Sequence, residues 1–157
     1  MKAGGLLEKA ALIALALITA WSITRLVLLS INCREEALSI RRFRFEIDKV
    51  EVRDKGTLTV VLKFRNPSPR NIEILYISCD VRCNDFFHGV YSMDLSSNPL
   101  VIEKFSKKAK EVFISSDEIG KYIGKEVEIQ VYAQVKIKLN YLKDIAIKAT
   151  YTSKVTL

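Results

Sequence analysis

From Ala10 to Ile31 the chain reads AALIALALITAWSITRLVLLSI, an apolar run interrupted by one charge, Arg25. No other feature limits the fold as strongly. A helix of that length spans roughly 33 Å at about 1.5 Å per residue, close to the hydrocarbon thickness of a bilayer. Ala and Leu dominate and the run has no Pro or Gly, so helix is its intrinsic preference. A helix also satisfies its own backbone polar groups where water is missing. The run predicts one transmembrane helix over 10–31, preceded by a tail over 1–9, and hence a single-pass membrane location. Ala10 and Ile31 are its limits, with Trp21 and Arg25 as anchoring residues.

Other readings of the same run stay open. A cleaved secretory signal finds its basic n-region in Lys2 and Lys9, but Ile18-Thr19-Ala20 is a poor small-x-small site and the apolar run is long. Lys2-Ala3-Gly4-Gly5 ahead of Leu6 and Glu8 is spaced loosely like a prepilin leader, which makes the helix a packing element of a filament or complex. Ser30-Ile31-Asn32-Cys33 lacks the small residues of a lipoprotein site. Arg25 either snorkels to the interface or meets a partner helix. Lys2 and Lys9 on one side, and Arg34, Arg41, Arg42 and Arg44 on the other, lean towards a cytoplasmic C-terminal domain without deciding it.

Beyond a charged stalk over 32–42 the apolar period changes to two. Phe43, Phe45 and Ile47 alternate with polar residues, and Val50 and Val52 continue in the opposite phase, which predicts a bulge near Asp48-Lys49. Asp54-Lys55-Gly56 turns the chain, Leu58, Val60, Leu62 and Phe64 share a face, and Asn66-Pro67-Ser68-Pro69 ends that strand. Ile72–Cys83 is strand with a phase slip near Ile74-Leu75, and Asn84-Asp85 turns it into Phe86–Met93. Leu100–Phe105 and Glu111–Ser115 read as shorter strands around a Lys-rich connection. Ser116-Asp117-Glu118 opens a short helix that Gly124 stops. The clearest alternation runs from Val127 to Leu139, and after a turn over 140–144 it returns from Ile145 to Val155. Seven or eight strands with half-polar faces predict an all-β domain over 43–157, an antiparallel sandwich with one short helix. At 49% hydrophobic and 27% charged residues, the composition excludes both a wholly membrane-embedded chain and a disordered one. Lys, Glu, Ile and Val are enriched in a thermophile-like way, which suggests an archaeal or bacterial chain.

The stretch LTVVLKFRNPSPRNIEI over 58–74 joins a two-period strand, Asn-Pro, a polar turn and renewed alternation. With Phe87-His88-Gly89-Val90, the loop ending at Pro99 and the Ile129–Leu139 strand, it resembles the group-two late-embryogenesis-abundant domain, also called the water-stress and hypersensitive-response (WHy) domain. The resemblance covers roughly Phe43 to Leu157, and Asn66-Pro67 is its most specific element. It implies an immunoglobulin- or fibronectin-like sandwich with no catalytic site, and roles in stress protection or at membranes, often behind an N-terminal anchor. Asn66 and Pro67 carry over as structural turn residues, and no binding residue of the family transfers by motif.

Chemistry-bearing residues are few. His88 is the single histidine, and no motif supplies it with a metal-ligand set or a nucleophile, so it reads as a hairpin residue. Cys79 and Cys83 lie about 13 Å apart on one strand face at roughly 3.3 Å per residue. That exceeds the reach of about 7 Å for a disulfide, and both read as core residues. Cys33 is open to acylation, cross-linking or inertness. The net charge of +7 is spread over several spots. Arg41, Arg42 and Arg44 are candidates for anionic headgroups, or else a solvated face; Lys104, Lys107, Lys108 and Lys110 suit edge protection. Nucleic acid is a poor partner, since aromatics do not interleave with the basic spots. The sequence predicts a non-enzymatic, membrane-anchored domain with no cofactor and no small-molecule substrate. Its partners are a lipid bilayer, a protein or a second copy, possible roles being stress protection or envelope maintenance. The alternative is a pilin-like structural subunit.

Overall fold

A computed structural model describes residues 4–54, 56–84, 87–122 and 124–156. Helix α1 runs unbroken from Gly4 to Arg42, 39 residues or about 58 Å. The charged stretch after Ile31 is therefore the last three turns of the same helix. The tail expected over 1–9 is already helical from Gly4, while Met1, Lys2 and Ala3 lie outside the described residues. Within the apolar part, the Thr19 and Thr24 hydroxyls donate to the carbonyls of Leu15 and Ala20, each at 2.8 Å, so neither hydroxyl needs water. The helix ends where the Phe43 N–H donates to the carbonyls of Ser39 and Ile40 and the chain turns into strand.

The remainder is an antiparallel β-sandwich. One sheet has the order β1 (Arg44–Asp54), β2 (Thr57–Asn66), β6 (Ser106–Ser115). The other has the order β4 (Phe87–Asp94), β3 (Ile72–Cys83), β7 (Glu126–Lys138), β8 (Ile145–Thr156), with β5 (Leu100–Ile102) also pairing β3. The inner faces carry the core, with Leu58, Val60, Leu62 and Phe64 of β2 opposite residues such as Ile74, Ile77 and Val81 of β3 and Ile129 to Ile137 of β7. The Phe64 ring stacks on Phe45 at 5.3 Å and on Phe43 at 6.4 Å, which ties the strand after the helix to the core.

Both phase changes in the sequence are bulges. Pairing of β1 with β2 skips between Ile47 and Lys49, so Ile47 and Val50 are both buried. Pairing of β3 with β7 skips between Ile74 and Tyr76, leaving Leu75 only half-buried. The lysine-rich connection is corrected: Lys107, Lys108 and Lys110 belong to β6 itself, paired residue for residue with β2. This half of the strand buries no side chain, so no apolar period marks it, and the pairing alone holds it extended. The lysines decorate a sheet edge, where they discourage pairing with another chain.

Helix α2 is the single turn Asp117–Gly120, capped by the Ser116 hydroxyl accepting from the Glu118 N–H at 3.2 Å. It ends before Gly124, whose φ of +84° serves the following turn instead. Gly56 has φ +99°, and a Cβ there would lie 2.7 Å from the Ser116 carbonyl oxygen, so the β1–β2 turn needs a glycine. Lys55, Asp85 and Phe86, placed in turns and at a strand start from the sequence, lie outside the described residues.

Cys79 and Cys83 are free and fully buried. Burial pushes their thiols from 9.0 up to about 12 and about 11. The folded chain thus keeps protons that the unfolded chain releases. Their contribution to stability is complete below about pH 9 and is lost as the pH climbs through the raised values. At neutral pH a maleimide should modify Cys33 in the folded chain and reach Cys79 and Cys83 only after denaturation, as mass spectrometry of the labelled peptides will show.

Candidate functional site at the base of the sandwich

The end of the sandwich that meets α1 is built on the turn after β2. Asn66 is fully buried. Its side-chain amide donates to the carbonyls of Arg70, Ile102 and Glu103 at 2.7, 3.1 and 3.0 Å. Its side-chain oxygen accepts from the Ser68 N–H at 3.1 Å and the Ser68 hydroxyl at 2.6 Å. One side chain thereby closes the Asn-Pro-Ser-Pro turn and joins the end of β2 in one sheet to the end of β5 in the other. Pro67 follows with its φ fixed by the ring, and the turn carries Arg70 outwards.

Arg70 reaches the helix. Its guanidinium donates to the Asn32 side-chain oxygen at 3.0 Å and pairs with the Glu35 carboxylate. The second connection is Glu36, which is 7% exposed. Its carboxylate accepts from three successive backbone N–H groups of the β7–β8 loop, Asn140 at 2.7 Å, Tyr141 at 3.0 Å and Leu142 at 3.1 Å. A buried carboxylate is costly unless its lone pairs are filled, and charge-assisted bonds to backbone donors fill these. Cys33 adds a weak contact, its sulfur 3.8 Å from the Tyr141 carbonyl. Between helix, turn and loop lies a cleft of ≈ 450 Å³, lined by residues that include Glu36, Ser39, Arg70, Lys104, Lys138 and Asn140. The β7–β8 loop is held from its other side by Asp144. The Leu139 N–H, with Lys136 next to it, keeps that carboxyl below its ordinary range.

The other residues singled out from sequence are dispersed. Ala10, Trp21, Arg25 and Ile31 lie along the exposed part of α1, with the Arg25 guanidinium 4.3 Å from the centre of the Trp21 ring. Arg41 and Arg42 occupy its last turn, where positive charge complements the helix dipole. Arg44 donates to the Arg41 carbonyl at 3.2 Å. His88 is exposed and lies 2.9 Å from the Asp80 carboxylate on the neighbouring strand, away from the cleft. Among the described residues no group of three or more His, Cys, Asp or Glu side chains is placed to hold a metal. The residues sequence reasoning missed are Glu36, Arg70 and the 140–142 backbone. No local pattern marks Glu36: it lies in the charged run Arg34-Glu35-Glu36, and its partners are backbone groups 104 to 106 residues away.

No family model and no curated protein matches the chain. Solved structures do. One, determined in solution and assigned to the late embryogenesis abundant (LEA) group, superposes with a TM-score of 0.59 over 87% of this chain and 86% of its own, at 13% identity. A protein from Archaeoglobus fulgidus covers 73% of this chain and 94% of its own at 12% identity, with a TM-score of 0.49. At such identities the LEA likeness is one of fold.

Two substitutions probe this end. Asn66→Ala takes the amide donor from the Ile102 and Glu103 carbonyls and the acceptor from the Ser68 N–H, while the Ser68 hydroxyl and Arg70 carbonyl keep each other, and should cost about 2–4 kcal/mol in denaturant unfolding; Asn66→Asp, which sets a carboxylate against carbonyl oxygens, should cost more. Glu36→Ala should release the Asn140, Tyr141 and Leu142 amides to rapid hydrogen exchange while the amides of β3 and β7 keep their protection.

Proposed function

We propose that α1 is a single-pass membrane anchor and that the sandwich is a non-catalytic domain acting by contact, carried at a fixed height and orientation over the bilayer. The supporting observation is the bare helix. Its apolar window has a mean hydropathy of 2.1 and none of it is buried against the rest of the chain. Side chains such as Leu12, Leu17, Ile18 and Leu26 are more than 60% exposed. Apolar surface of that extent is stable only when covered, and its length matches a bilayer. Glu8 and Lys9 on one side and Asn32 to Glu36 on the other bracket the span, so Ile31 marks its C-terminal boundary.

On this placement Arg41 and Arg42 stand about 15 Å beyond Ile31, outside a headgroup zone of roughly 5–8 Å per leaflet. Their charge then serves the end of the helix, and the residues at headgroup level are those near 32–36. The Glu36 and Arg70 contacts make the domain rigid with its anchor, which suits a module that presents a surface. The LEA-like fold agrees with a role in stress protection or envelope maintenance. A second reading remains open: the same uncovered helix suits the packed core of a filament or complex, as in pilin-like subunits.

Carbonate washing separates these readings. The anchor reading expects the protein to stay in the membrane pellet with Met1 intact and the domain to be cut by protease from one side only. Release into the wash overturns it, and processing after Gly5 favours the filament.

A further inference from the structure

We propose that the base of the sandwich is a second membrane contact, a rim that dips into the anionic headgroup layer of the bilayer holding α1. The proposal rests on the anchor reading given above and adds to it a surface and its partner. Height comes first. The β7–β8 loop is bonded to Cys33 and Glu36, and Arg70 is bonded to Asn32 and Glu35. These helix positions lie one to five residues past Ile31, about 1.5–7.5 Å along the axis. That interval is the headgroup zone. The domain is therefore seated on the bilayer surface, with its loops level with the point where the helix leaves it.

The side chains of those loops suit that level. Tyr141 and Leu142 are 43% and 41% exposed, although their backbone is fixed by Glu36. Across the cleft, Phe105 is 70% exposed. Its backbone has φ +53°, a conformation unfavourable for a bulky residue, and its N–H is held by the Ser68 carbonyl at 3.1 Å. Strain spent on holding an aromatic ring away from the core points to a function for the ring. Lys104 and Lys143 flank these groups, are exposed, and have no carboxylate partner among the described residues. Aromatic and aliphatic tips beside unpaired lysines match the chemistry of an anionic membrane interface, where amphipathic rings settle at the headgroups and lysines meet phosphates.

The full chain in vesicles of phosphatidylcholine and phosphatidylglycerol provides the test. In a Trp21→Phe background, Phe105→Trp and Tyr141→Trp each place a reporter on the rim. Val90→Trp is the control: Val90 is 68% exposed and pairs with Asp80, eight residues along β3 from Ile72, about 26 Å from that end. The rim indoles should show blue-shifted emission, loss of acrylamide quenching relative to the control, and quenching by lipids brominated near the glycerol. Lys104→Glu combined with Lys143→Glu should weaken that lipid quenching when phosphatidylglycerol is present. Rim indoles as open to acrylamide as the control overturn the proposal. So do indoles shielded from acrylamide but untouched by the brominated lipid, because protein then covers the rim. Trp21 in the unaltered chain reports on the anchor separately. If lipids brominated deep in the chains quench it and the rim reporters stay dark to lipid, the rim proposal alone falls; if Trp21 itself escapes them, the anchor falls and the rim with it.

Discussion

A buried side-chain amide organises the end of the molecule where everything meets. Asn66 spends its donors on carbonyls from β5 and its own turn, and its acceptor on Ser68, so it is satisfied only when both sheets and the turn are in place. An apolar side chain would leave these carbonyls unpaired in a dry site, and a carboxylate would set its own oxygens against them. From this knot the turn projects Arg70 against the helix, and the chain after β5 is led into Phe105, whose N–H is fixed by the same turn through Ser68. The helix, both sheets and the turn at Phe105 thus share one set of hydrogen bonds, and together with the Glu36 bonds to the β7–β8 loop it sets the orientation of the domain relative to its rod.

The physical division within the chain is between surface that covers itself and surface that does not. The sandwich closes a core of branched aliphatic residues between two sheets, and its edges are managed by a bulge in β1 and by lysines on β6. The first part of α1 has no such cover. It contributes nothing to the core, while the last turns of the same helix bury Glu36 and Ser39. One continuous helix therefore has an uncovered part and a packed part, and the change from one to the other falls near residue 32.

Much of this was legible in the primary structure because it is local. Alternation over Val127–Leu139 gives β7, and the reversals of phase at Asp48 and Leu75 mark both bulges, since one extra residue flips every later side chain. The Ser116 cap is a local hydrogen bond and was readable for the same reason. What escaped depends on distance. The lysines of β6 carry no apolar period, so only their partner strand makes them a strand. Glu36 sits in Arg34-Glu35-Glu36, which looks like solvated charge until the loop that it binds is folded beside it. Asn66 announced a turn through its neighbouring proline, but its tie across to the Ile102 carbonyl lies 36 residues away.

The bond between Glu36 and the β7–β8 loop joins positions 104 to 106 residues apart. A ribosome delivers the helix long before it delivers those amides. During synthesis the carboxylate waits for its partners while strand after strand is laid down, and Arg70 is the first of the two residues able to tie the rod to the growing globule. Only when the β7–β8 loop emerges is the second tie made. A chain without that loop would keep its oily segment and its Arg70 contact yet hold the two parts from one side only, so the β7–β8 loop completes the posture that the turn after β2 begins.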